Sequence, residues 1–265
     1  MRLSVDGHEV YAYTGTRPVD PAAPAIVFVH GAANDHSVWA LQSRYFAHHG
    51  HGVLAVDLPG HGRSGGPALA SVEAIGDWIA RLLDSAGLAR ATLVGHSLGS
   101  LAALSCAARH PARVAAIALV GPAVPMPVSE ALLAAAKADD HLAYELINGW
   151  SVSAGKQLGG NTVPGMWLLG GTMRLMERTP PGVLHTDLAA CNDWQGGLAA
   201  AAAVRCPSLV VLGARDLMAP PRGAKDLIGA LAGVEIVNLP DCGHAMMAEQ
   251  PDAVLDALRA FLRSA

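Results

Sequence analysis

Three residues far apart in a chain of 265 have the side-chain types that nucleophilic attack on a carbonyl requires: Ser97, Asp216 and His244. A serine hydroxyl is a weak nucleophile until an imidazole takes its proton, and that imidazole works best when a carboxylate holds it. Ser97 lies in Gly95-His96-Ser97-Leu98-Gly99. The apolar run at 91–94 reads as a buried strand, and Leu101, Leu104, Ala107 and Ala108 recur at helical spacing. The serine therefore sits on a tight turn from strand to helix. Gly95 and Gly99 leave room for the close backbone crossing such a turn needs. The Leu98 N–H opens the helix and is a candidate donor to an oxyanion.

The partners should follow later strands. Asp216 closes Gly213-Ala214-Arg215-Asp216, just after the apolar run at 208–212, and His244 closes Pro240-Asp241-Cys242-Gly243-His244, after the run at 234–239. A second oxyanion donor is expected from His30-Gly31-Ala32, where small side chains let backbone approach a substrate, and the Ala32 N–H is the candidate. Rival groups are weaker. Asp57 ends a strand but precedes the serine in a loop that reads as structural, and Asp241 is too near His244 in sequence to orient it. His30 and His96 read as hydrogen-bonded loop or core histidines, and His48, His49 and His51 as a solvated helix end without clustered acidic ligands.

The elements that must position these groups alternate. Strands are expected at 2–5, 9–13, 25–29, 53–56, 91–94, 114–120, 208–212 and 234–239, with helices between most of them from residue 35 onward. Continuous apolar strands alternating with amphipathic helices mean βαβ units and a parallel sheet. The alternation stops over residues 123–203, which hold helical patches broken by paired glycines, and this segment reads as a helical insertion over one end of the sheet.

Composition bounds the rest. Hydrophobic residues make up 52% and charged residues 15%, ample for a core, and a net charge of −4 gives no reason to expect nucleic acid or an anionic membrane. No apolar run approaches the ~18 residues of a membrane span, and no apolar leader follows Met1, so a cytoplasmic location is expected. Cys106, Cys191, Cys206 and Cys242 are scattered and read as reduced thiols, neither a disulfide frame nor a zinc site.

Taken with their order, His30-Gly31-Ala32, Asp57-Leu58-Pro59-Gly60-His61-Gly62-Arg63-Ser64, Gly95-His96-Ser97-Leu98-Gly99, Gly213-Ala214-Arg215-Asp216 and Gly243-His244 resemble the α/β-hydrolase fold family, in its small capped serine esterase and haloperoxidase-like branch. The resemblance covers about 25–122 and 204–265. It implies an α/β fold with an eight-stranded, mostly parallel sheet flanked by helices. The core would be 1–122 and 204–265, with a helical cap, 123–203, inserted after strand 6. It implies no cofactor and no metal. The expected activity is cleavage of a small, mostly apolar carboxylic ester through an acyl-enzyme on Ser97. C–C bond cleavage of the meta-cleavage type, thioester or lactone hydrolysis and perhydrolysis stand as alternatives on the same three residues. A small-molecule binding protein that retains the triad is the alternative of another class. Ser97 in place of aspartate argues against haloalkane dehalogenases and related epoxide hydrolases, and Ala245 after the histidine lowers the C–C reading. Trp39, Trp194 and Met247 are the expected substrate-binding side chains, in a pocket suited to an uncharged group. The expected partner is a small-molecule ester, with homodimer formation left open.

Overall fold

The computed structural model describes residues 1–160, 162–163 and 165–264. Two short strands, β1 (Arg2–Val5) and β2 (His8–Tyr13), form a hairpin. The alternating part follows: β3 (Ala25–Val29), α1 (Ala40–Ala47), β4 (Gly52–Val56), α2 (Val72–Ser85), β5 (Ala91–His96), α3 (Leu98–Arg109) and β6 (Val114–Val120). Five helices come next: α4 (Glu130–Lys137), α5 (Leu142–Ser151), α6 (Leu168–Met176), α7 (Val183–Asp193) and α8 (Gly197–Ala203). The chain closes with β7 (Ser208–Gly213), α9 (Lys225–Ala230), β8 (Glu235–Leu239), α10 (Met246–Glu249) and α11 (Pro251–Ser264).

The eight strands form one sheet in the order β1-β2-β4-β3-β5-β6-β7-β8, with β3 to β8 parallel and the β1–β2 hairpin antiparallel at one edge. This is the α/β-hydrolase fold that the alternation and motifs imply. Side-chain alternation along each strand divides the core in two. Val27, Val29, Leu93, Ile117, Leu119 and Val210 face α2 and α3, whereas Ile26, Phe28, Val94, Ala118, Val120 and Val211 share the other face with Phe46, Leu258 and Phe261. Both faces are covered, which is why the central strands read as unbroken apolar runs.

Strand order reverses around β3: β4 lies on one side and β5 on the other. Loops leaving such strands diverge and open a crevice at their carboxyl ends. The loops after β3, β5, β7 and β8 meet there.

The turn after β5 depends on two absent side chains. A Cβ on Gly95 would lie 2.0 Å from the Gly99 carbonyl oxygen, and a Cβ on Gly99 would lie 2.4 Å from that of Val29. The backbone of α3 thus crosses directly over the ends of β5 and β3. Ser97 is held between them at φ 52°, ψ −119°, a sparsely populated conformation for a residue with a side chain.

Helices α4 to α7 build a third apolar cluster of their own, including Leu132, Ala136, Ile147, Met176, Leu184 and Leu188. One residue of the β3 loop, Ala33, is packed into it. Helix α8, which the sequence reading placed with the inserted segment, packs instead on α3 and α9. Trp194 is buried in the same core cluster as the sheet. The chain therefore returns to the core near residue 194, earlier than the expected boundary at 203. No helix among the described residues is long and apolar enough to cross a membrane.

Gly95→Ala is expected to lower stability by at least ~2 kcal/mol, because the clash is with backbone that no rotamer change relieves. Urea unfolding monitored by circular dichroism measures it.

Candidate active site

Ser97, Asp216 and His244 converge at the carboxyl end of the sheet. Asp216, just past β7, is buried, and its Oδ2 accepts a hydrogen bond from His244 Nδ1 at 2.7 Å. Its Oδ1 accepts from the backbone N–H groups of Met218 and Ala219, both at 2.8 Å. The carboxylate thus cannot rotate away, and the imidazole presents Nε2 to the cavity as an acceptor. No hydrogen bond to Ser97 Oγ is formed among the described residues; Ser97 and His244 line the same cavity. Catalytic hydrogen bonds commonly tighten only once substrate is bound.

The His244 loop is fixed from three directions. Its N–H donates to Ser151 O at 2.7 Å, and its carbonyl accepts from His96 Nε2 at 2.9 Å. The fully buried Glu249 carboxylate accepts from the Gly243 N–H at 3.0 Å and the Ser153 N–H at 3.3 Å, and also from the Ser153 hydroxyl. Gly121 lies against the imidazole: a Cβ there would come within 3.2 Å of His244 Nδ1 and Cε1.

Donors for an oxyanion follow from the backbone. Leu98 is the first residue of α3, so its N–H has no acceptor within the helix. On the other side, the Gly31 carbonyl accepts from His30 Nδ1 at 2.8 Å and from the Asn34 N–H at 3.3 Å. A trans peptide is planar, so pinning the Gly31 C=O aims the Ala32 N–H the opposite way. Gly31, Ala32 and Ser97 all line the cavity, and a Cβ on Gly31 would stand 3.1 Å from that of Ser97.

Three histidines around the site are sorted by their partners. His30 donates through Nδ1 and accepts the Leu58 N–H at Nε2, 3.1 Å, so it is neutral. Burial and the neighbouring His61 push its pKa down to about 4. His96 donates through Nε2, while its Nδ1 is buried without a partner. Burial, then His244, holds it well below the ordinary histidine range. His61 is the opposite case. Both its nitrogens face acceptors, Pro59 O at 3.0 Å and Asp187 Oδ2 at 2.8 Å, an arrangement that favours the doubly protonated ring. Burial opposes the charge, but the Asp187 carboxylate overrides it and raises the pKa.

The cavity is about 530 Å³. Helices α4 to α7 cover it, with Leu132, Ile147, Trp150, Met176 and Leu188 on its walls, and Met126, Met218 and Met247 enter from the segments that follow β6, β7 and β8. Besides the rings of His96, Trp150 and His244 and the Cys191 thiol, its polar groups are amides and hydroxyls, including Asn34, Asn148, Ser129 and Thr172; no Asp, Glu, Lys or Arg among the described residues lines it.

Of the three expected substrate-binding residues, Met247 lines this cavity. Trp39 and Trp194 do not, and both expectations are corrected. Trp39 is fully buried on the far face of the sheet against Phe28, with ring centroids 5.2 Å apart, because the helix after β3 turns its apolar side into the core. Trp194 anchors the return of the chain to the core, as described above. Asn34, Asn148 and Thr172 were missed. The signal for Asn148 was a polar residue on the apolar stripe of α5, between Ile147 and Ser151.

Asp35, His36 and Asp57 bring ligand-type atoms within 4.8 Å of one another. They serve as loop fasteners: Asp57 Oδ1 accepts from the backbone N–H and the ring Nδ1 of His36, each at 2.7 Å, and Oδ2 from the Arg63 N–H at 2.9 Å. Asp35 Oδ1 caps the following turn through the Ser37 N–H. The structural reading of Asp57 holds. The four cysteines are free thiols.

Comparison with known proteins places this geometry. The sequence profile of the alpha/beta hydrolase family matches residues 26–257, and the chain belongs to that family. Hydrolysis is the class of reaction this membership supports. The chain is 27% identical over 257 residues to a putative carbamate hydrolase, RutD, of Klebsiella pneumoniae, covering 90% of this chain and 91% of that protein. It is 37% identical over 121 residues to the dihydrolipoyllysine-residue acetyltransferase component of the acetoin cleaving system of Cupriavidus necator, a match spanning 44% of this chain and only 30% of that longer protein. Among solved structures, an enol-lactonase from Burkholderia xenovorans superimposes with a TM-score of 0.87 at 25% identity, covering 99% of this chain and all of that one.

The charge states predict a pH dependence of stability. His30 and His96 are neutral when folded but charge in the unfolded chain near pH 6.5. The unfolded state therefore binds more protons below that pH, and stability falls as pH drops from about 6.5 toward 4. Each of the two contributes up to roughly 1.4 kcal/mol per pH unit. His61 has the opposite sign: its contribution is complete below about pH 6.5 and is lost as pH rises through its raised folded pKa. Denaturant unfolding from pH 4.5 to 9 is expected to give a stability maximum between the two limbs.

Proposed function

We propose that the chain is a serine hydrolase of small, uncharged, mostly apolar carboxylic esters, with lactones as cyclic members of the class. The observation that carries this is the His244–Asp216 pair opening onto the same uncharged cavity as Ser97 on its strained turn. Ser97 Oγ attacks the ester carbonyl while His244 Nε2 takes its proton. Asp216 keeps the imidazole in the right tautomer and stabilises the imidazolium. The carbonyl oxygen becomes an oxyanion between the Ala32 and Leu98 N–H groups, each worth ~2.7–4 kcal/mol to the transition state. Collapse expels the alkoxide, which receives the proton from His244. The same histidine then activates water to release the acid from Ser97.

The cavity lining supports the substrate class. A carboxylate or phosphate brought into this space would meet no cationic side chain, and burying an unpaired charge costs several kcal/mol. Esters carrying a second, ionised group are therefore expected to be poor substrates.

Ser97→Ala is expected to abolish turnover of short p-nitrophenyl esters and labelling by a fluorophosphonate, with folding intact. Asp216→Asn is expected to lower kcat by ~10⁴. Within a panel, neutral C2–C6 esters and lactones should exceed their anionic counterparts by at least tenfold in kcat/KM. Retained turnover by Ser97→Ala refutes the reading, and tight ligand binding without labelling favours a binding protein.

A further inference from the structure

The β3 loop that carries the Ala32 N–H is not held by the core alone. Ala33 stands at φ 54°, a left-handed conformation that is costly for a residue with a Cβ. Three contacts keep it there, and all come from the segment between β6 and β7. The Ala33 N–H donates to Asp187 Oδ2 of α7 at 3.1 Å, and its carbonyl accepts from Thr179 Oγ1 at 3.3 Å. Its methyl is buried in the apolar cluster of α4 to α7. Asp187 is 1% exposed and uses the same oxygen to accept from His61 Nε2. That ring belongs to the loop after β4, so one carboxylate ties the overlying helices to two core loops.

We propose that Asp187, with Thr179, is a positioning residue for the oxyanion hole: the overlying helices must be docked through these groups for the Ala32 N–H to face Ser97. This rests on the serine-hydrolase reading, in which that N–H stabilises the oxyanion. The strain at Ala33 gives the arrangement its direction. Without the N–H and carbonyl partners, Ala33 relaxes toward negative φ, which carries off the Asn34 N–H that helps pin the Gly31 carbonyl and so lets the Gly31–Ala32 peptide turn. Substrate is held by the apolar walls of the cavity and does not sense that peptide until the oxyanion forms. The residue accordingly acts on the transition state and leaves ground-state binding alone.

The test compares wild type, Asp187→Ala, which removes the acceptor shared by Ala33 and His61, and Thr179→Val, using a short p-nitrophenyl ester, a trifluoromethyl ketone of the same chain length and the matching carbinol. Ser97 Oγ adds to the ketone carbon, its proton goes to His244 Nε2, and the carbonyl π pair becomes an oxyanion. The carbinol occupies the cavity but forms no adduct. Both variants are expected to lose about 10- to 100-fold in kcat, as a displaced oxyanion donor would. Ketone affinity should fall by the same factor, while KM and carbinol affinity stay within about twofold. Unchanged ketone affinity in folded variants, whatever their melting temperatures, overturns the proposal. If Asp187→Ala does not fold, Thr179→Val, which removes one partly buried hydroxyl, decides alone. A wild-type enzyme that binds ketone no more tightly than carbinol, and is not labelled at Ser97, instead overturns the serine-hydrolase reading beneath it.

Discussion

The structure depends on a backbone crossing. Where α3 leaves β5, the Gly95 and Gly99 peptides and the Val29 carbonyl approach so closely that no side chain fits between them. This contact fixes the position of Ser97 relative to β3 as well as β5. It therefore also sets the distance between the serine and the β3 loop that supplies Ala32. The cost is a strained φ at Ser97, of order 1–3 kcal/mol. It is offset by the buried strands on either side, where β5 pairs in parallel with both β3 and β6. The nucleophile and the root of the β3 loop are thus placed by the same rigid feature.

Charge is distributed around that feature in layers. Next to the cavity the histidines are neutral: His30 and His96 each use one ring nitrogen as donor, and burial excludes the proton from the other. One shell further out sits the His61–Asp187 pair, 4.9 Å between the His30 and His61 ring centroids. A proton on His61, which the Asp187 carboxylate favours, helps keep His30 neutral, and a neutral His30 can only donate through Nδ1 if Nε2 accepts from Leu58. Its tautomer is therefore decided, and with it the orientation of the Gly31 peptide. The pair does this at a distance, so the cavity itself stays free of unbalanced charge.

Much of this was legible in the residues. Strands with unbroken apolar runs, such as 25–29 and 114–120, coincide with β3 and β6, because strands buried on both faces have a composition no other element shares at that length. The glycines at 95 and 99 were legible because only backbone proximity explains them. Trp39 and Trp194 were misjudged for a common reason: nearness in sequence to a site loop says nothing about which side of the sheet a large side chain faces. The Ala33–Asp187 and His61–Asp187 contacts span 154 and 126 residues. They depend on how four helices dock, which no local pattern encodes. Glu249 was invisible for a similar reason, since its Ser153 partners, N–H and hydroxyl, lie 96 residues away in the chain.

What could be read and what could not divide along a physical line. The core supplies the groups whose positions a sheet determines: Ser97, His244, Asp216 and the Leu98 N–H. The helices between β6 and β7 supply the walls, and through Asp187, Thr179 and the packing around Ala33 they also brace a loop of the core. A lining of Met, Leu and Ile tolerates changes in volume, because such side chains repack at small cost. A buried carboxylate that serves two loops does not, because removing any one partner leaves a polar group unsatisfied. The covering helices are therefore free to change the shape of the cavity but not their point of attachment to the β3 loop. That asymmetry lets one fold keep a single mode of attack on a carbonyl while the acyl group it accepts is altered.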